Sequence, residues 1–124
     1  MNAYPGLVVR IDADNERGDV YTLVKSVKRY GLEIPAGFQS DGASVPRFFW
    51  RVVFPPGDVH ALAAAFLHDY IYRTHPTGWT RKAADDLFLE TLIADGVPKR
   101  RAYLAYWGVR LFGASAWDEG GKSI

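Results

Sequence analysis

The sequence predicts an α+β fold, with a small antiparallel sheet in the first half of the chain and three helices in the second. Alternating, β-rich segments precede residue 35, whereas apolar segments with helical spacing and recognisable caps follow residue 58. Between them, residues 35–57 contain four prolines and three glycines, too many for regular elements. At 124 residues the chain is expected to form one domain over residues 1–124.

The first half is predicted to be a β-hairpin followed by a third strand. A β-rich run at residues 7–11 and an alternating segment at residues 20–27 flank a polar turn that ends in Gly18. The third strand is expected at about Tyr30 to Ile34, because Pro35 cannot donate a hydrogen bond within a central ladder. The proline-rich stretch that follows predicts a long ordered loop, a type of segment that is often functional.

Helix boundaries in the second half are marked by capping residues. The short connection at residues 74–79 favours an antiparallel arrangement of the first two helices. The predicted helices are 59–73 after an N-cap at Asp58, 81–94 between Thr80 and the pair Asp95-Gly96, and a third from Pro98 to about Phe112 before Gly113.

Composition excludes several classes of function. The chain has no cysteine, which rules out a disulfide scaffold, a zinc-thiolate site and a cysteine nucleophile. A net charge of +1 argues against nucleic-acid binding driven by overall charge. The beginning of the chain lacks the pattern of a signal peptide, and no stretch approaches the ~20 apolar residues of a membrane span. A cytoplasmic protein without a transmembrane segment is therefore expected.

A His-Asp pair in the middle of the first apolar helix is the main candidate for chemistry. Residues four apart share a helix face, so Ala64, His68 and Tyr72 form one stripe. In an antiparallel pair, Asp85 of the second helix can face His68 or Tyr72. A carboxylate that binds one imidazole nitrogen fixes the tautomer and raises the basicity of the other nitrogen, which makes His68 a candidate general base.

The residues around this pair leave several interpretations open. Asp69 points ~100° away from His68 on the helix and is a candidate ligand for a divalent cation, calcium or zinc, together with Asp41 in the loop. Ser44 in the same loop allows a triad with His68 and Asp85, although the chain has no Gly-x-Ser-x-Gly elbow. The same polar residues also fit a structural network that ties two helices to a loop.

Other polar and aromatic features are assigned to structure. His60 in the first helical turn and His75 before a proline are predicted to be surface residues. The third helix mixes basic with aromatic residues, a composition that also occurs at membrane interfaces. We predict instead an amphipathic core helix whose arginines extend to solvent.

The motifs together resemble an uncharacterised family of small proteins common in tailed phages and their prophages. The resemblance covers about residues 20 to 117 and implies a phage or prophage origin without an established activity. It implies a location in the cytoplasm of the infected bacterial host or in the virion, with virion proteins or the cell envelope as partners. The motifs are Pro35-Ala36-Gly37-Phe38, Asp41-Gly42-Ala43-Ser44-Val45-Pro46-Arg47, Leu67-His68-Asp69-Tyr70-Ile71-Tyr72, Arg81 with Asp85 and Phe88, and Val109-Arg110-Leu111-Phe112-Gly113.

A more remote resemblance concerns the two predicted helices alone. His68-Asp69-x-x-Tyr72 followed by Asp85-x-x-Phe88 is similar to the core of phospholipase A2, above all to the cysteine-free version in parvovirus capsid proteins. The resemblance implies that His68 activates a water as general base, that Asp69 holds calcium, and that Tyr72 and Asp85 orient His68. The Gly-rich calcium loop of that family is not matched, and only Asp41-Gly42 or the segment 55–57 could serve in its place.

Two function classes follow from these observations. One is a metal-assisted ester hydrolase with His68 as base, Asp69 as cation ligand and Asp85 as orienting acid, acting on lipid or cell-envelope material. The alternative is a non-enzymatic virion-associated or host-interaction module in which the His/Asp/Tyr network is structural. In that alternative, the aromatic residues from Phe48 to Phe54 provide the contact surface.

Overall fold

A computed structural model describes residues 8–14, 18–40 and 59–122, and within them it confirms the predicted α+β fold. Antiparallel strands occupy the first part of the chain and helices the second. The predicted loop beyond residue 40 and the predicted N-cap Asp58 lie outside the described residues. The elements are β1 (Val9–Asp14), β2 (Gly18–Leu23), β3 (Val27–Arg29), β4 (Leu32–Ile34), β5 (Gln39–Ser40), a 3-10 turn (Val59–Ala61), α1 (Leu62–Thr74), α2 (Arg81–Ala94), α3 (Lys99–Phe112) and α4 (Ala114–Lys122).

The predicted hairpin is present, but the strands after it are arranged differently from the prediction. β1 and β2 pair antiparallel from Val9↔Leu23 to Asp14↔Gly18, and β5 adds to the other edge of β2. The segment predicted as one strand over residues 20–27 divides at Leu23, because the chain leaves the first sheet there and Val27 begins a second one.

The second sheet is a hairpin of β3 and β4, and it shortens the predicted third strand. Tyr30 (φ 54°) and Gly31 (φ 76°) form the turn between the two strands, so the strand starts at Leu32. Positive φ at both central residues matches the twist of a two-residue hairpin turn. The aromatic residue predicted to open the strand therefore belongs to the turn.

The described part of the chain holds four helices, one more than predicted. The N-cap prediction at Thr80 is confirmed, since its Oγ1 accepts a hydrogen bond from the Ala83 backbone N–H at 3.1 Å. Gly113 ends α3, but its φ of −86° and ψ of −5° stay close to helical values, and α4 starts directly after it. Two glycines near the end of α4 lower its helix propensity, which hides the helix from a sequence pattern.

α1 is the central helix of the fold. Nine of its 13 residues are buried, as expected for a helix that is apolar around most of its circumference. One side packs with α2 and α3 through a cluster that includes Ala64, Phe88 and Val109. Another side packs with both sheets through a cluster that includes Leu23, Ile34 and Ile71. Polar residues of α1 consequently lie inside the core.

Among the described helices, none is both long enough and apolar enough to span a bilayer.

Candidate functional site

His68, Tyr72 and Asp85 meet between α1 and α2. Nε2 of His68 lies 2.6 Å from Oδ1 of Asp85, and the Tyr72 hydroxyl donates to the same oxygen at 2.6 Å. Tyr72 of α1 contacts Asp85 of α2. His68, which lies one turn before Tyr72 on α1, contacts Phe88, which lies one turn after Asp85 on α2. Contacts that run in opposite directions along two helices define an antiparallel pair. The structure thus joins three of the predicted site residues through one carboxylate oxygen.

The three side chains are almost completely removed from solvent. Relative exposure is 1% for His68, 1% for Tyr72 and 0% for Asp85. The imidazole ring contacts the rings of Tyr72, at a centroid distance of 4.2 Å, and of Phe88, at 4.6 Å. The hydrogen bond to Asp85 and these two ring contacts together fix the orientation of the imidazole.

Arg110 of α3 completes the surroundings of Asp85. Its Nη1 lies 2.8 Å from Oδ2, so each carboxylate oxygen has a donor. Burial alone would raise the pKa of Asp85, but the hydrogen bonds from His68, Tyr72 and Arg110 outweigh it and hold the pKa below its usual value. The carboxylate is therefore ionised at neutral pH.

Tyr72 is kept in its protonated form. Burial raises the pKa of its phenol, and the hydrogen bond and negative charge of Asp85 raise it further. The hydroxyl consequently acts as a donor to Asp85 rather than as an ionised acceptor. Tyr72 thus supports His68 through Asp85, since its hydroxyl is bound to the carboxylate.

Arg81 holds the end of α3 that carries Arg110. Its Nη2 donates to the backbone carbonyls of Val109 at 2.7 Å and Arg110 at 2.8 Å. These carbonyls belong to the last turn of α3, where helix carbonyls commonly need partners from outside the helix. The Val109 carbonyl also accepts a hydrogen bond from the Gly113 backbone N–H at 2.9 Å. Arg81 belongs to a motif of the family resemblance, which assigns this arginine no contact. The ion pair between Arg110 and Asp85 was not predicted, because Arg110 lies on another helix, 25 residues further along the chain.

Asp69 faces a different element from His68, as the helical geometry predicted. Its Oδ2 accepts a hydrogen bond from Ser40 Oγ at the end of β5, and both residues are buried. Ser40 was not predicted as a site residue, although it directly precedes the loop that contains two predicted ones. The contact ties α1 to the first sheet.

The predicted cation site is only partly within the described residues. Asp41 and Ser44 lie outside them, so a pairing of Asp41 with Asp69 and a triad through Ser44 stay predictions. The described residues contain no group of three or more His, Asp or Glu side chains placed to hold a metal ion. The described residues therefore do not complete a metal donor set around Asp69.

His75 is half-buried rather than on the surface. Its ring stacks on Trp117 at a centroid distance of 3.7 Å, and Nε2–H donates to the Trp117 carbonyl at 2.9 Å. The residue also ends α1 with a positive φ of 44°. His75 therefore attaches α4 to the end of α1. His60 is likewise intermediate in exposure.

Comparison with known proteins places the chain in a family. A family model described as protein of unknown function (DUF1353) matches residues 20–109, more than half of the chain. The chain belongs to this family. Membership confirms the predicted likeness to a family without an established activity, and the phage or prophage origin stays a prediction.

Two curated relatives come from Sinorhizobium fredii (strain NBRC 101917 / NGR234). The uncharacterized protein y4jT is 35% identical over 82 residues, which cover 64% of this chain and 23% of the relative. The uncharacterized protein y4iH is 32% identical over 75 residues, covering 60% of this chain and 30% of the relative. The matched segment thus spans about a quarter to a third of the length of these relatives. No solved structure matches the chain.

Proposed function

We propose that the protein is an ester hydrolase in which His68 is the general base. The supporting observation is the single oxygen of Asp85 that lies 2.6 Å from both His68 Nε2 and the Tyr72 hydroxyl. An ionised carboxylate on Nε2 holds the imidazole as the tautomer protonated at Nε2, so that Nδ1 carries the lone pair. The remote resemblance to phospholipase A2 assigns the same roles to these residues.

In the proposed reaction, Nδ1 of His68 takes a proton from a water molecule as its oxygen attacks the ester carbonyl. The imidazolium that forms is stabilised by the negative charge of Asp85, which Tyr72 and Arg110 keep in place. Collapse of the tetrahedral intermediate breaks the bond to the leaving alcohol. The proton on Nδ1 is then transferred to the leaving alkoxide, which restores neutral His68 and releases acid and alcohol.

The proposed substrate is an ester of lipid or cell-envelope material. This class follows from the likeness to phospholipase A2 and from the predicted phage or prophage origin. In this proposal the protein works in the cytoplasm of the infected bacterial host or in the virion. Its partners are then virion proteins or the cell envelope.

Melting experiments test whether Asp69 binds a divalent cation. Calcium or zinc bound by Asp69 and Asp41 stabilises the folded protein by mass action and raises its melting temperature. Asp69→Asn should remove that increase. If wild type and Asp69→Asn respond identically to both ions, Asp69 is not a cation ligand, and His68 must act without one.

Substitution of the base tests hydrolysis itself. His68→Asn should lower the turnover of a fluorogenic phospholipid or a simple aryl ester by a factor of ~10² to 10⁴. Asp86→Asn is the matched control for Asp85→Asn, since Asp86 is the next residue but binds Lys82 and Tyr106 instead. We expect Asp85→Asn to lose most activity and Asp86→Asn to retain it. Wild-type protein that hydrolyses none of these esters would contradict the proposal.

Complete burial favours a second candidate, a non-enzymatic virion-associated or host-interaction module with a structural network. The side chains of His68 and Asp85 are both 0% exposed, and both carboxylate oxygens of Asp85 have donors. In that case His68→Asn should destabilise the fold by about 1–3 kcal/mol through unsatisfied buried partners. The contact surface predicted for this function, Phe48 to Phe54, lies outside the described residues.

A further inference from the structure

Helix α3 packs its small residues inward and exposes its large apolar ones. Ala102, Ala105 and Val109 are completely buried against the rest of the fold. The exposed side instead carries Tyr103, Leu104, Trp107 and Leu111, and the last two are 56% and 68% exposed. The amphipathic core helix predicted here is present in part, because the small side of the helix occupies the core. Its larger apolar side faces solvent, where it adds little to folding.

The exposed apolar residues form one continuous face. Positions 104, 107 and 111 follow the spacing i, i+3, i+7, which places them along one side of a helix, with Tyr103 beside them. Arg100 lies one turn before Leu104 on the same side and is exposed. We call the surface formed by Arg100, Tyr103, Leu104, Trp107 and Leu111 the α3 face.

Basic residues are concentrated at one end of the α3 face. Lys99 and Arg100 are exposed and Arg101 is half-buried, all in the first turn of the helix. The positive end of the helix dipole lies there and favours acidic residues, so this placement does not help the helix itself. No Asp or Glu occurs anywhere in residues 99–112. The charge therefore points to an external negative partner.

We propose that the α3 face binds the surface of an anionic lipid membrane. Trp and Tyr prefer the boundary between lipid headgroups and acyl chains, because each combines an apolar ring with a polar group. Leucines beside them can enter the same layer, while Lys99 and Arg100 attract the anionic headgroups. This complementarity of charge and apolar character selects a membrane surface over an acidic protein or a second copy. Binding of this kind does not depend on the proposed hydrolysis.

Binding to vesicles tests the proposal directly. The protein is mixed with vesicles of phosphatidylglycerol and phosphatidylcholine, or of phosphatidylcholine alone, and bound protein is measured by co-sedimentation. We expect binding to the mixed vesicles, weaker binding to phosphatidylcholine, and a decrease with added salt because exposed charges are screened. Absence of binding to the mixed vesicles at low salt would overturn the proposal.

Variants of the α3 face identify the surface that binds. The double variant Trp107→Ser/Leu111→Ser should lower the partition coefficient by about tenfold or more. Lys99→Ala and Arg100→Ala should each lower it about fivefold, but only on vesicles that contain phosphatidylglycerol. The control is Val24→Ser/Lys25→Ala, which changes an exposed apolar and an exposed basic residue at the end of β2. Unchanged circular dichroism and melting temperature establish that all variants are folded.

Two further results would overturn the assignment to a membrane. Variants of the α3 face that bind vesicles as well as wild type would place the lipid contact elsewhere. Analytical ultracentrifugation could instead show a wild-type dimer that Trp107→Ser/Leu111→Ser converts to a monomer. If the variant dissociated in this way and wild type bound no vesicles, the α3 face would be an interface between two copies of the chain.

Discussion

At the scale of single residues, Asp85 determines the charge of the buried network. Unpaired, a carboxylate at such a position would take up a proton, because burial disfavours its charge. Three donors, from His68, Tyr72 and Arg110, reverse this preference and lower its pKa. The network is therefore ionic at neutral pH, whether it serves catalysis or stability.

Acid should weaken the fold through Asp85. Because its folded pKa lies below the unfolded value of about 3.9, the carboxylate stabilises the protein fully above that value, and the contribution is lost as pH falls through the folded pKa. We expect Asp85→Asn to reduce the free energy of unfolding at neutral pH by about 3 kcal/mol. The substitution removes the negative charge to which the side chains of His68, Tyr72 and Arg110 are bound. Its stability should also change less with pH in the acid range.

Urea unfolding between about pH 3 and pH 7 measures this effect, because it covers the unfolded carboxylate pKa from both sides. Asp86→Asn is the control, since Asp86 also has a lowered pKa, caused by Lys82 and Tyr106, but its side chain is 42% exposed. It should stay close to wild type in stability. Equal losses in the two variants would contradict a special role for the buried carboxylate.

Part of the site could be predicted from the sequence because it depends on local geometry. The four-residue spacing places His68 and Tyr72 on one face, and the short connection brings Asp85 opposite them. Arg110 and Ser40 could not be found this way, since they come from α3 and β5, 25 and 29 residues from their partners. The resemblance includes Arg110 in one of its motifs, but no local pattern assigns this arginine a partner.

At the scale of elements, the junction between α3 and α4 borders directly on the site. A Cβ atom added to Gly113 would lie 2.8 Å from the Tyr72 hydroxyl and 2.5 Å from the Val109 carbonyl oxygen. Both distances are shorter than van der Waals contact allows. The absence of a side chain at this position is therefore what lets the helix junction approach Tyr72.

Gly113→Ala should displace the Tyr72 hydroxyl from Asp85. We expect a loss of about 1–3 kcal/mol in the free energy of unfolding, as for other substitutions that overfill a packed region. In a Tyr72→Phe background the hydroxyl is missing and one of the two clashes disappears. The same substitution should then cost less, and a double-mutant cycle by urea unfolding measures the difference. Additive effects would show that Gly113 and Tyr72 are not coupled.

Element boundaries were predictable where a cap or a period-breaking residue marks them. The N-cap at Thr80 and the end of α2 at Asp95, before Gly96 (φ 101°), are such cases. The division of the strand after Leu23 was missed because the alternation of apolar residues continues through Val27, although the two parts pair with different strands. Which partner a strand takes depends on long-range contacts that its own pattern does not contain.

At the scale of the whole molecule, α1 joins three sets of contacts. It packs on α2, on the sheets and on α4, and its polar residues bind one partner in each direction: Asp85 on α2, Ser40 on β5 and, from the end of α1, the Trp117 carbonyl on α4. The α+β class followed from the change of period along the chain. The central position of α1 could not be predicted in this way, because its apolar composition indicates that the helix is buried but not which elements pack against it.

One ion pair connects the second sheet to the helices independently of α1. Arg29 of β3 binds both carboxylate oxygens of Asp95 at the end of α2, at 2.8 and 2.6 Å. The hydrogen bond to Asp95 raises the pKa of Arg29 despite partial burial. Two parallel N–H···O bonds between side chains that are 15% and 3% exposed form a stronger contact than a pair at the surface.

Breaking this pair should therefore loosen the attachment of the second sheet to α2. Asp95→Asn should lower the free energy of unfolding by about 2 kcal/mol, because the guanidinium loses its charged partner in a half-buried position. A double-mutant cycle with Arg29→Met, measured by urea unfolding, should give a coupling of about 1–3 kcal/mol. The control cycle is Lys28→Met with Glu33→Gln, an exposed pair with 3.7 Å between Nζ and Oε2 on the same hairpin, which should show no measurable coupling. If the two cycles gave equal coupling energies, the bidentate geometry and burial of Arg29 and Asp95 would contribute nothing beyond surface attraction, and the second sheet would be attached by its apolar contacts alone.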